Sequence, residues 1–526
     1  MMLRQVDFLD FDVVPGISNL VRDMAKGNAI IEGLLLLPKH AHDYKSTIER
    51  KLANYSPENR QRLVSALRNQ YAKLGHSEVV ESQLQKLAMP NCVTISCGHQ
   101  LVMFGGPMYV AFKMLSVIKL ANELQAAFPD YQFVPIHWLH GEDHDVEEVS
   151  KLTLFGKPML WETDQTGPVG ELSTQGLDIL AQEIASKGAN QSALLFAKND
   201  SLLHASFSFL HHWFGDMGLL QIDASATSLK ELFLPIAQQE VAEKTSHAAI
   251  LQTTSELENR GYKAQIQPRE VNLFWLENGQ RYRIAATADG YEFVGSGKQV
   301  SESELLSLME ASPEKVSPNV ALRPLYSQII LPDVAFVGGP AEVAYWAQFT
   351  GLFQAFQVPM PVVLPRFSSM ILKEAQKKKL DKWELAIASL FEDEPVLKRN
   401  WLQKVSNLPI ELKTMEQELE NWWGQLSVLA AKTDASLEAW VLAEQARFSK
   451  QTDNVFKRML KAGETTFEAD WQQFINLKSR LFPNGHLQER EEAWLGFCLN
   501  NPHWLQEIYE QIEVLKPGLK VLVEGQ

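Results

Sequence analysis

The hydrophobic and polar positions of this chain follow two alternating periods. Short apolar runs at 92–96, 133–138, 334–337 and 361–364 are bounded by glycine, proline and charged residues, which is typical of strands buried in a parallel sheet. Between such runs, as at 108–128, apolar residues recur every three or four positions and predict helices. Strands that alternate with helices in this way predict an α/β fold with a parallel sheet.

Two of the predicted strand–helix units share one arrangement. A loop after the first strand ends in Gly105-Gly106-Pro107, and the strand at 334–337 is followed at once by Gly338-Gly339-Pro340. Glycine lets a ligand approach the backbone, and the free N–H groups at a helix start suit a carboxylate or phosphate, which Lys113 could also reach. A tight turn with positive φ explains the glycines about as well. If both units lie in one sheet, the two helix starts face one crevice.

Ionisable residues crowd the segment that follows the strand at 133–138. They are His140, Glu142, Asp143, His144 and Asp145. Carboxylates here could hold an ammonium group or Mg²⁺, and His144 could move a proton. A zinc site would need a third ligand beside the two histidines, and the sequence does not point to one, so we expect no bound metal of that kind. A solvated acidic surface is the other explanation, but the apolar strand before the cluster favours a functional site.

The regions outside these units divide the chain further. Residues 228–259 predict one long helix, and 262–266, 271–276, 282–287 and 291–294 predict strands of an inserted small sheet. The predicted core begins with a helical N-terminal part at 1–90 and the first half of a Rossmann-like core at 91–150. It continues with the inserted sheet at 151–310 and ends with the second half of the Rossmann-like core at 311–370. A coiled-coil arm at 371–483 follows, and a tail at 484–526 is predicted to pack back on the junction of core and arm.

The arm is predicted from a heptad pattern. Apolar residues spaced alternately by three and four are Leu412, Met415, Leu419, Trp422, Leu426 and Leu429. A turn at 433–436 leads to a second helical stretch with Phe467, Trp471, Phe474 and Leu481 on one side. Two antiparallel helices of this kind are too thin to form a core alone, so we expect them to make a homodimer.

Composition narrows the functional class. The 64 acidic and 49 basic residues give a net charge of −15, which argues against nucleic acid as a partner. The three cysteines, Cys92, Cys97 and Cys498, do not form a CxxC pair or a disulfide framework. We expect no signal peptide and no membrane-spanning stretch, and therefore a cytoplasmic protein.

Several motifs together resemble one known family. They are Gly98 and Gln100 with Gly105-Gly106-Pro107-Met108-Tyr109 and Lys113, Gly141-Glu142-Asp143-His144-Asp145, Ser317-Pro318-Asn319-Val320 with Leu322-Arg323-Pro324, Gly338-Gly339-Pro340 with Glu342, Tyr345 and Trp346, the segment 359–366, and 481–485 with 487–490. Over nearly its whole length the chain is similar to the cysteine-adding enzymes of bacillithiol biosynthesis, the BshC family.

The resemblance implies a Rossmann-like core with a coiled-coil dimerisation arm. It implies a ligase that joins L-cysteine to the amine of glucosaminyl-malate through a carbon–nitrogen bond. Glu142, Asp143 and Asp145 would hold the cysteine ammonium or a metal, and His144 would be the general base. The groups expected to hold or position the second substrate are Gly98, Gln100, Gly105, Gly106, Tyr109, Lys113, Gly338, Gly339, Glu342, Tyr345 and Arg366.

The resemblance also implies an adenine nucleotide, ATP or ADP, near Ser368, Leu481 and Phe497, with Mg²⁺ as a further candidate. The His-x-Gly-His loop of class I synthetase-like ligases is missing, so ATP activation does not follow from the residues themselves. This chain carries His99 where the family loop usually has glutamine, and His140 where a small residue usually precedes the acidic motif.

Two other functions stay open from the sequence. One is a metal-dependent hydrolase or transferase that uses His140, Asp143, His144 and Asp145. The other is a coiled-coil binding protein that keeps the fold without the chemistry.

Overall fold

The computed structural model of the protein describes residues 3–28, 35, 38–75, 77–188, 191–406 and 408–525. These residues form two compact units. The larger unit runs to Met370 and includes Gln488–Lys520, and the smaller one contains Ile371–Leu487 with the residues from Val521 onward.

The strands are, in chain order, β1 (Leu3–Leu9), β2 (Cys92–Gln100), β3 (Gln132–His140), β4 (Lys151–Leu154), β5 (Lys157–Leu160), β6 (Leu220–Asp223), β7 (Leu273–Glu277), β8 (Gln280–Thr287), β9 (Gly290–Phe293), β10 (Lys298–Val300), β11 (Val316–Pro318), β12 (Asp333–Gly338), β13 (Val362–Pro365), β14 (Ser368–Lys373) and β15 (Leu519–Glu524).

The helices are α1 (Asn19–Lys26), α2 (Lys45–Asn54), α3 (Pro57–Tyr71), α4 (Glu78–Ala88), α5 (Met108–Ala127), α6 (Val146–Val149), α7 (Leu177–Ala185), α8 (Ser192–Ala197), α9 (Leu202–Phe214), α10 (Thr227–Glu243), α11 (Thr245–Asn259), α12 (Glu302–Ala311), α13 (Arg323–Ile330), α14 (Pro340–Ala347), α15 (Thr350–Ala355), α16 (Glu374–Lys382), α17 (Glu394–Val405), α18 (Leu408–Thr433), α19 (Ala435–Thr466), α20 (Glu468–Leu481), α21 (Gln488–Glu491), α22 (Trp494–Asn500) and α23 (Trp504–Gln511).

The centre of the larger unit is a five-stranded parallel sheet. Its order is β13-β12-β2-β3-β6, and every neighbouring pair is parallel. The chain therefore starts in the middle, moves outward to one edge, and returns to fill the other side. The carboxyl ends of β2 and β12 flank the point where the order reverses, which is where open α/β sheets bind ligands. The predicted α/β fold with a Rossmann-like parallel sheet is confirmed.

A buried polar network fixes β12 beside β2. The carboxylate of Asp333 accepts hydrogen bonds from Thr94 Oγ1 at 3.1 Å, from Ser96 Oγ at 2.5 Å and from Gln328 Nε2 at 3.1 Å. Lys51 Nζ donates to Gln328 Oε1 at 2.7 Å. Burial raises the pKa of Asp333 to about 7. Each buried polar group in this set has a partner, so the network specifies the pairing of the two central strands.

A second sheet is inserted between β6 and β12 of the sequence. It is antiparallel in the order β10-β9-β8-β7-β11, and the strands predicted at 282–287 and 291–294 pair as a hairpin, β8 with β9. Residues 262–266 do not join it as a strand. Instead Gln348 Oε1 accepts the backbone N–H groups of Gln265 at 2.8 Å and Ile266 at 3.0 Å, so a side chain replaces the neighbouring strand.

Two predicted long helices are each broken into shorter ones. The run at 228–259 divides at Lys244, whose φ of 54° is left-handed and ends α10. The helix predicted after the second Gly-Gly-Pro divides into α14 and α15.

The smaller unit contains the predicted helical hairpin. Helices α18 and α19 pack on each other across a turn at Asp434, whose Oδ1 accepts the N–H of Ser436 at 2.8 Å. Within this hairpin Leu412 is buried, whereas Met415, Trp422 and Leu429 are more than half exposed. Only every second member of the predicted heptad seam therefore faces the other helix of the same chain. No helix in the described ranges is long and apolar enough to cross a membrane.

Candidate functional site

The carboxyl ends of β2 and β3 bring the first loop and the acidic loop together. The strands pair in register with Gly98 opposite Trp138 and Gln100 opposite His140. The His140 imidazole lies over Gly98 so closely that a Cβ added there would be 2.5 Å from His140 Nε2. The neighbouring imidazole therefore accounts for glycine at position 98 without any ligand.

The acids of the second loop are already paired with cations. Glu142 Oε1 lies 2.5 Å from Nζ of Lys230, a fully buried lysine that also donates to the carbonyl oxygen of Val316 at 2.6 Å. Asp143 Oδ1 lies 3.3 Å from Arg281 Nη1. Lys230 and Arg281 thus balance the charges of Glu142 and Asp143, and an incoming ligand would exchange partners with groups already present.

Arg281 comes from the inserted sheet and closes the site from that side. Its Nη2 donates to the Pro318 carbonyl at 3.0 Å and its Nε to Ser317 Oγ at 3.2 Å, with the guanidinium 4.0 Å above the ring of Phe274. The side chain is only 8% exposed, and burial lowers the pKa of this guanidinium. Nothing in the local sequence distinguishes Arg281, since only the folding of the insertion brings β8 to the acidic loop.

His144 and Asp145 lie at the outer edge of this set. His144 Nδ1 is 3.5 Å from Asp143 Oδ1 and 3.4 Å from Arg281 Nη1, and the side chain is 55% exposed. Asp145 caps α6 by accepting the N–H of Glu148 at 3.0 Å, and its carbonyl accepts Gln100 Nε2 at 3.4 Å. An imidazole beside a carboxylate and open to solvent can take up a proton from a ligand.

Two adjoining cavities occupy the crevice. The first lies over the ends of β3 and β6 and is lined by Glu142, Asp143, Asp223 and Arg281. The second lies at the point where the strand order reverses and is lined by Gly98, Phe336, Tyr345 and Trp346. Both are lined by Trp138, His140 and Arg323. Of the predicted site residues, the crevice thus brings together Gly98, Glu142, Asp143 and Tyr345.

The two histidines that depart from the family pattern are both neutral. Burial lowers the pKa of His99 well below its usual value, with Lys113 adding to the effect. Burial also lowers the pKa of His140, helped by the positive charge of Arg323. His99 Nε2 lies 3.1 Å from the hydroxyl of Tyr109. Neutral imidazoles leave the cations of the crevice without added repulsion.

The first Gly-Gly-Pro segment lies outside both cavities. Trp494 covers it, donating from Nε1 to the Gly105 carbonyl at 2.8 Å, and a Cβ on Gly105 would be 2.5 Å from that ring. The N–H of Met108 donates to the Glu492 carbonyl at 2.8 Å. Positive φ at Gly105 and Gly106, 83° and 71°, accounts for both glycines through the turn itself.

At the second Gly-Gly-Pro segment, the carboxylate of Glu342 occupies the place where an anionic ligand was predicted to bind. The N–H of Gly339 donates to Glu342 Oε2 at 2.7 Å, which is a capping box, and a Cβ on Gly338 would be 2.9 Å from Glu342 Cβ. Glu342 is also ion-paired with Lys113, whose Nζ donates to the Gly98 carbonyl at 3.0 Å. The carboxylate predicted to position a substrate and the lysine predicted to reach one are therefore bound to each other.

Arg366 and two of the residues predicted near a nucleotide take part in the packing of the larger unit. Arg366 Nη2 lies 2.7 Å from Glu489 Oε1, and Ser368 Oγ donates to the same oxygen at 2.8 Å. Phe497 stacks on Trp504 with ring centroids 5.2 Å apart. Leu481 belongs to the smaller unit and is buried there. The nucleotide position stays a prediction.

Four charged residues of the crevice were not among the predicted site residues: Asp223, Lys230, Arg281 and Arg323. Asp223 is the acid at the end of β6, and Arg323 lies in a motif that carried the resemblance, so both had a signal in the sequence. Among the described residues, no group of three or more His, Cys, Asp or Glu side chains is arranged to hold a metal ion.

The fold and the site define a Rossmann-like α/β protein with a charged crevice at the strand ends and a C-terminal coiled-coil unit. The profile of the family "Bacillithiol biosynthesis BshC, N-terminal Rossmann-like domain" matches residues 3–367, and "Bacillithiol biosynthesis BshC, C-terminal coiled-coil domain" matches residues 369–524. The chain belongs to the BshC family of bacillithiol biosynthesis.

Two curated relatives match most of the chain. A protein of Flavobacterium johnsoniae is 35% identical over 521 residues, covering 97% of this chain and 98% of the relative. One of Cytophaga hutchinsonii is 33% identical over 462 residues, covering 87% of each chain. Both carry the name "Putative cysteine ligase BshC".

Proposed function

We propose that this chain is a cysteine ligase that joins L-cysteine to the amine of glucosaminyl-malate and so forms bacillithiol. Membership of the BshC family supports the pathway, and the names of the relatives support the ligase activity. The observation that carries the proposal is the crevice at the strand ends, where Glu142 and Asp143 meet Lys230 and Arg281 close to the neutral imidazole of His140.

The reaction needs an activated carboxylate, because the hydroxyl of an acid is a poor leaving group. The amine nitrogen attacks the carbonyl carbon of activated cysteine, the C–N bond forms, and the C–O bond to the activating group breaks. The amine loses one proton, for which His144 is the proposed base, since Asp143 at 3.5 Å would stabilise the imidazolium. We propose ATP with Mg²⁺ as the co-substrate that supplies the activating group.

The acidic loop and the cations paired with it fit a zwitterion. Cysteine carries an ammonium and a carboxylate on one carbon, and the loop offers carboxylates and cations at adjacent positions. Glu142 and Asp143 would take the ammonium, while Arg281 would face the carboxylate. An arrangement of this kind accepts a zwitterion without leaving any buried charge unpaired.

The direct test incubates the purified full-length chain with L-cysteine, glucosaminyl-malate and ATP·Mg²⁺. We expect a thiol product with the mass of the two substrates joined with loss of water, detected by mass spectrometry after thiol labelling. Absence of this product with every nucleoside triphosphate, while a BshC relative works under the same conditions, would contradict the proposal.

A substitution of Asp143 tests whether this carboxylate takes part in the reaction. Asp143→Asn keeps the shape but removes the charge that faces Arg281 and His144, so product formation should fall by roughly 100-fold or more. Glu147→Gln is the control, because Glu147 is an exposed acid of the same loop that pairs with surface Lys151. Equal activity of the two variants would remove Asp143 from the site.

We also propose that the active form is a cytoplasmic homodimer. Met415, Trp422 and Leu429 recur every seven residues on α18 and are 51%, 54% and 60% exposed, so a second copy of the hairpin would complete the heptad seam. The free, buried thiols of Cys92, Cys97 and Cys498 fit a reducing compartment.

A further inference from the structure

The predicted anion-binding groups of the crevice are engaged with other protein groups. Lys113 pairs with Glu342, and Arg366 pairs with Glu489. The helix-start N–H groups are also taken, since Gly339 donates to Glu342 and Met108 donates to the Glu492 carbonyl. None of these groups can bind a carboxylate of a substrate without first losing a protein partner.

The remaining cations of the crevice have carboxylate partners as well, with one exception. Lys230 pairs with Glu142, and Arg281 pairs with Asp143. Arg323, the first residue of α13, is half-buried and lines both cavities. Within the described ranges no carboxylate lies at ion-pair distance from it, and Tyr345 lines the second cavity together with it.

We propose that Arg323 binds a carboxylate of the substrate, namely the malate end of the amine acceptor. This inference rests on the proposed function for the identity of the acceptor. A guanidinium presents a planar pair of N–H donors that matches a carboxylate in two parallel hydrogen bonds. The aromatic walls of the second cavity, Trp138, Phe336 and Trp346, exclude water and strengthen such a pair.

The position of Arg323 orients the acceptor. With its dicarboxylate end in the second cavity, at the ends of β2 and β12, its sugar amine extends past His140 toward the acidic loop in the first cavity. Arg323, Trp138 and His140 line both cavities, so a carboxylate bound to Arg323 lies beside the first cavity as well as the second. Because His140 is neutral, it does not neutralise the positive charge of Arg323, which can therefore pair with a carboxylate of the ligand.

The test measures how the protein distinguishes a carboxylate from its neutral amide. L-malate and its diamide are titrated into the full chain by calorimetry, and glucosaminyl-malate is titrated in parallel. We expect the wild type to bind malate roughly 10- to 100-fold more tightly than the diamide, as a charge-assisted pair requires. Arg323→Met should lose this preference, and Arg323→Lys, which keeps the charge but not the fork, should keep part of it.

Arg269→Met is the control, since Arg269 is an exposed arginine of the inserted region and should leave the preference unchanged. Circular dichroism checks folding, and Arg323→Lys carries the test if Arg323→Met does not fold. If both Arg323 variants keep the wild-type preference, the role of Arg323 is refuted whether or not the chain is a ligase.

The two proposals fail in different ways. An Arg323-dependent preference for malate without any amide product would refute the ligase function and leave the carboxylate site standing. A wild-type chain that binds neither malate nor glucosaminyl-malate would refute both.

Discussion

Lys113 and Glu342 form a buried ion pair between the two halves of the parallel sheet. Lys113 lies on α5, which follows β2, and Glu342 lies on α14, which follows β12. Lys113 also donates to the Gly98 carbonyl, while Glu342 accepts the N–H of Gly339. The pair therefore fixes both strand ends that border the crevice.

Breaking this pair should destabilise the protein. Lys113→Met leaves the Glu342 carboxylate without its cation, which we expect to lower the free energy of unfolding by roughly 3–5 kcal/mol. Urea unfolding followed by tryptophan fluorescence measures the change.

The double variant Lys113→Met/Glu342→Gln should recover part of that loss, because it removes both charges. Lys151→Met is the matched control and should cost less than about 1 kcal/mol, since its partner Glu147 is exposed. A Lys113→Met protein as stable as Lys151→Met would contradict the importance of the pair.

Gly98→Ala tests the contact with His140. The new methyl group would lie 2.5 Å from His140 Nε2, so the imidazole has to move, at a cost of about 1–3 kcal/mol and with loss of ligase activity. Adding His140→Ala should restore part of the stability but not the activity. Thermal unfolding and the product assay report the two effects separately.

Gly424→Ala is the reference for the same substitution, because nothing lies within 4 Å of its added Cβ. It lies inside α18 and should stabilise the helix by up to about 1 kcal/mol. Unchanged stability in Gly98→Ala would show that the imidazole is free to leave its place above the glycine.

Stability should fall as the solution becomes acidic. Burial lowers the pKa of His137 to about 3, and those of His99 and His140 also lie well below 6.5. Below about pH 6.5 the unfolded chain therefore binds more protons than the folded chain. The stabilisation from neutral, buried imidazoles is complete above that pH and is lost as the pH falls toward the folded pKa.

His137→Gln isolates one of these titrations. The difference in unfolding free energy between wild type and variant should shrink by about 1.4 kcal/mol per pH unit between pH 6 and 4. The opposite contribution of Asp333, whose pKa is raised by burial, is common to both proteins and cancels.

Trp422→Glu tests the dimer. A charge on the exposed face of α18 should prevent the second hairpin from packing there, because an unpaired buried carboxylate is costly. Light scattering should then report 59.4 kDa for the variant, against about twice that mass for the wild type. Lys413→Glu, also on an exposed position of α18, should leave the dimer intact, and a monomeric wild type would refute the arm as a dimer interface.

The strands and the strand-end loops were predictable because their signal is local. A run such as 334–337 is apolar at every position, and only a strand with both faces covered tolerates this. The breaks at Lys244 and before Thr350 were not predictable, because helical periodicity continues through them. Gln265 and Ile266 look like a strand, yet their N–H groups bond the side chain of Gln348, which is 82 or more positions away in the sequence.

The sequence by itself determined the parallel sheet, the two Gly-Gly-Pro helix starts and the acidic loop, since these depend on neighbouring residues. Only the tertiary structure decided which charged side chains form ion pairs with each other. Lys113 meets Glu342, Lys230 meets Glu142 and Arg281 meets Asp143 across distances of more than 80 residues in the chain. Ion pairing depends on separation in space, which spacing along the chain does not specify, and this is why only the folded protein shows that Arg323 has no carboxylate partner among the described residues.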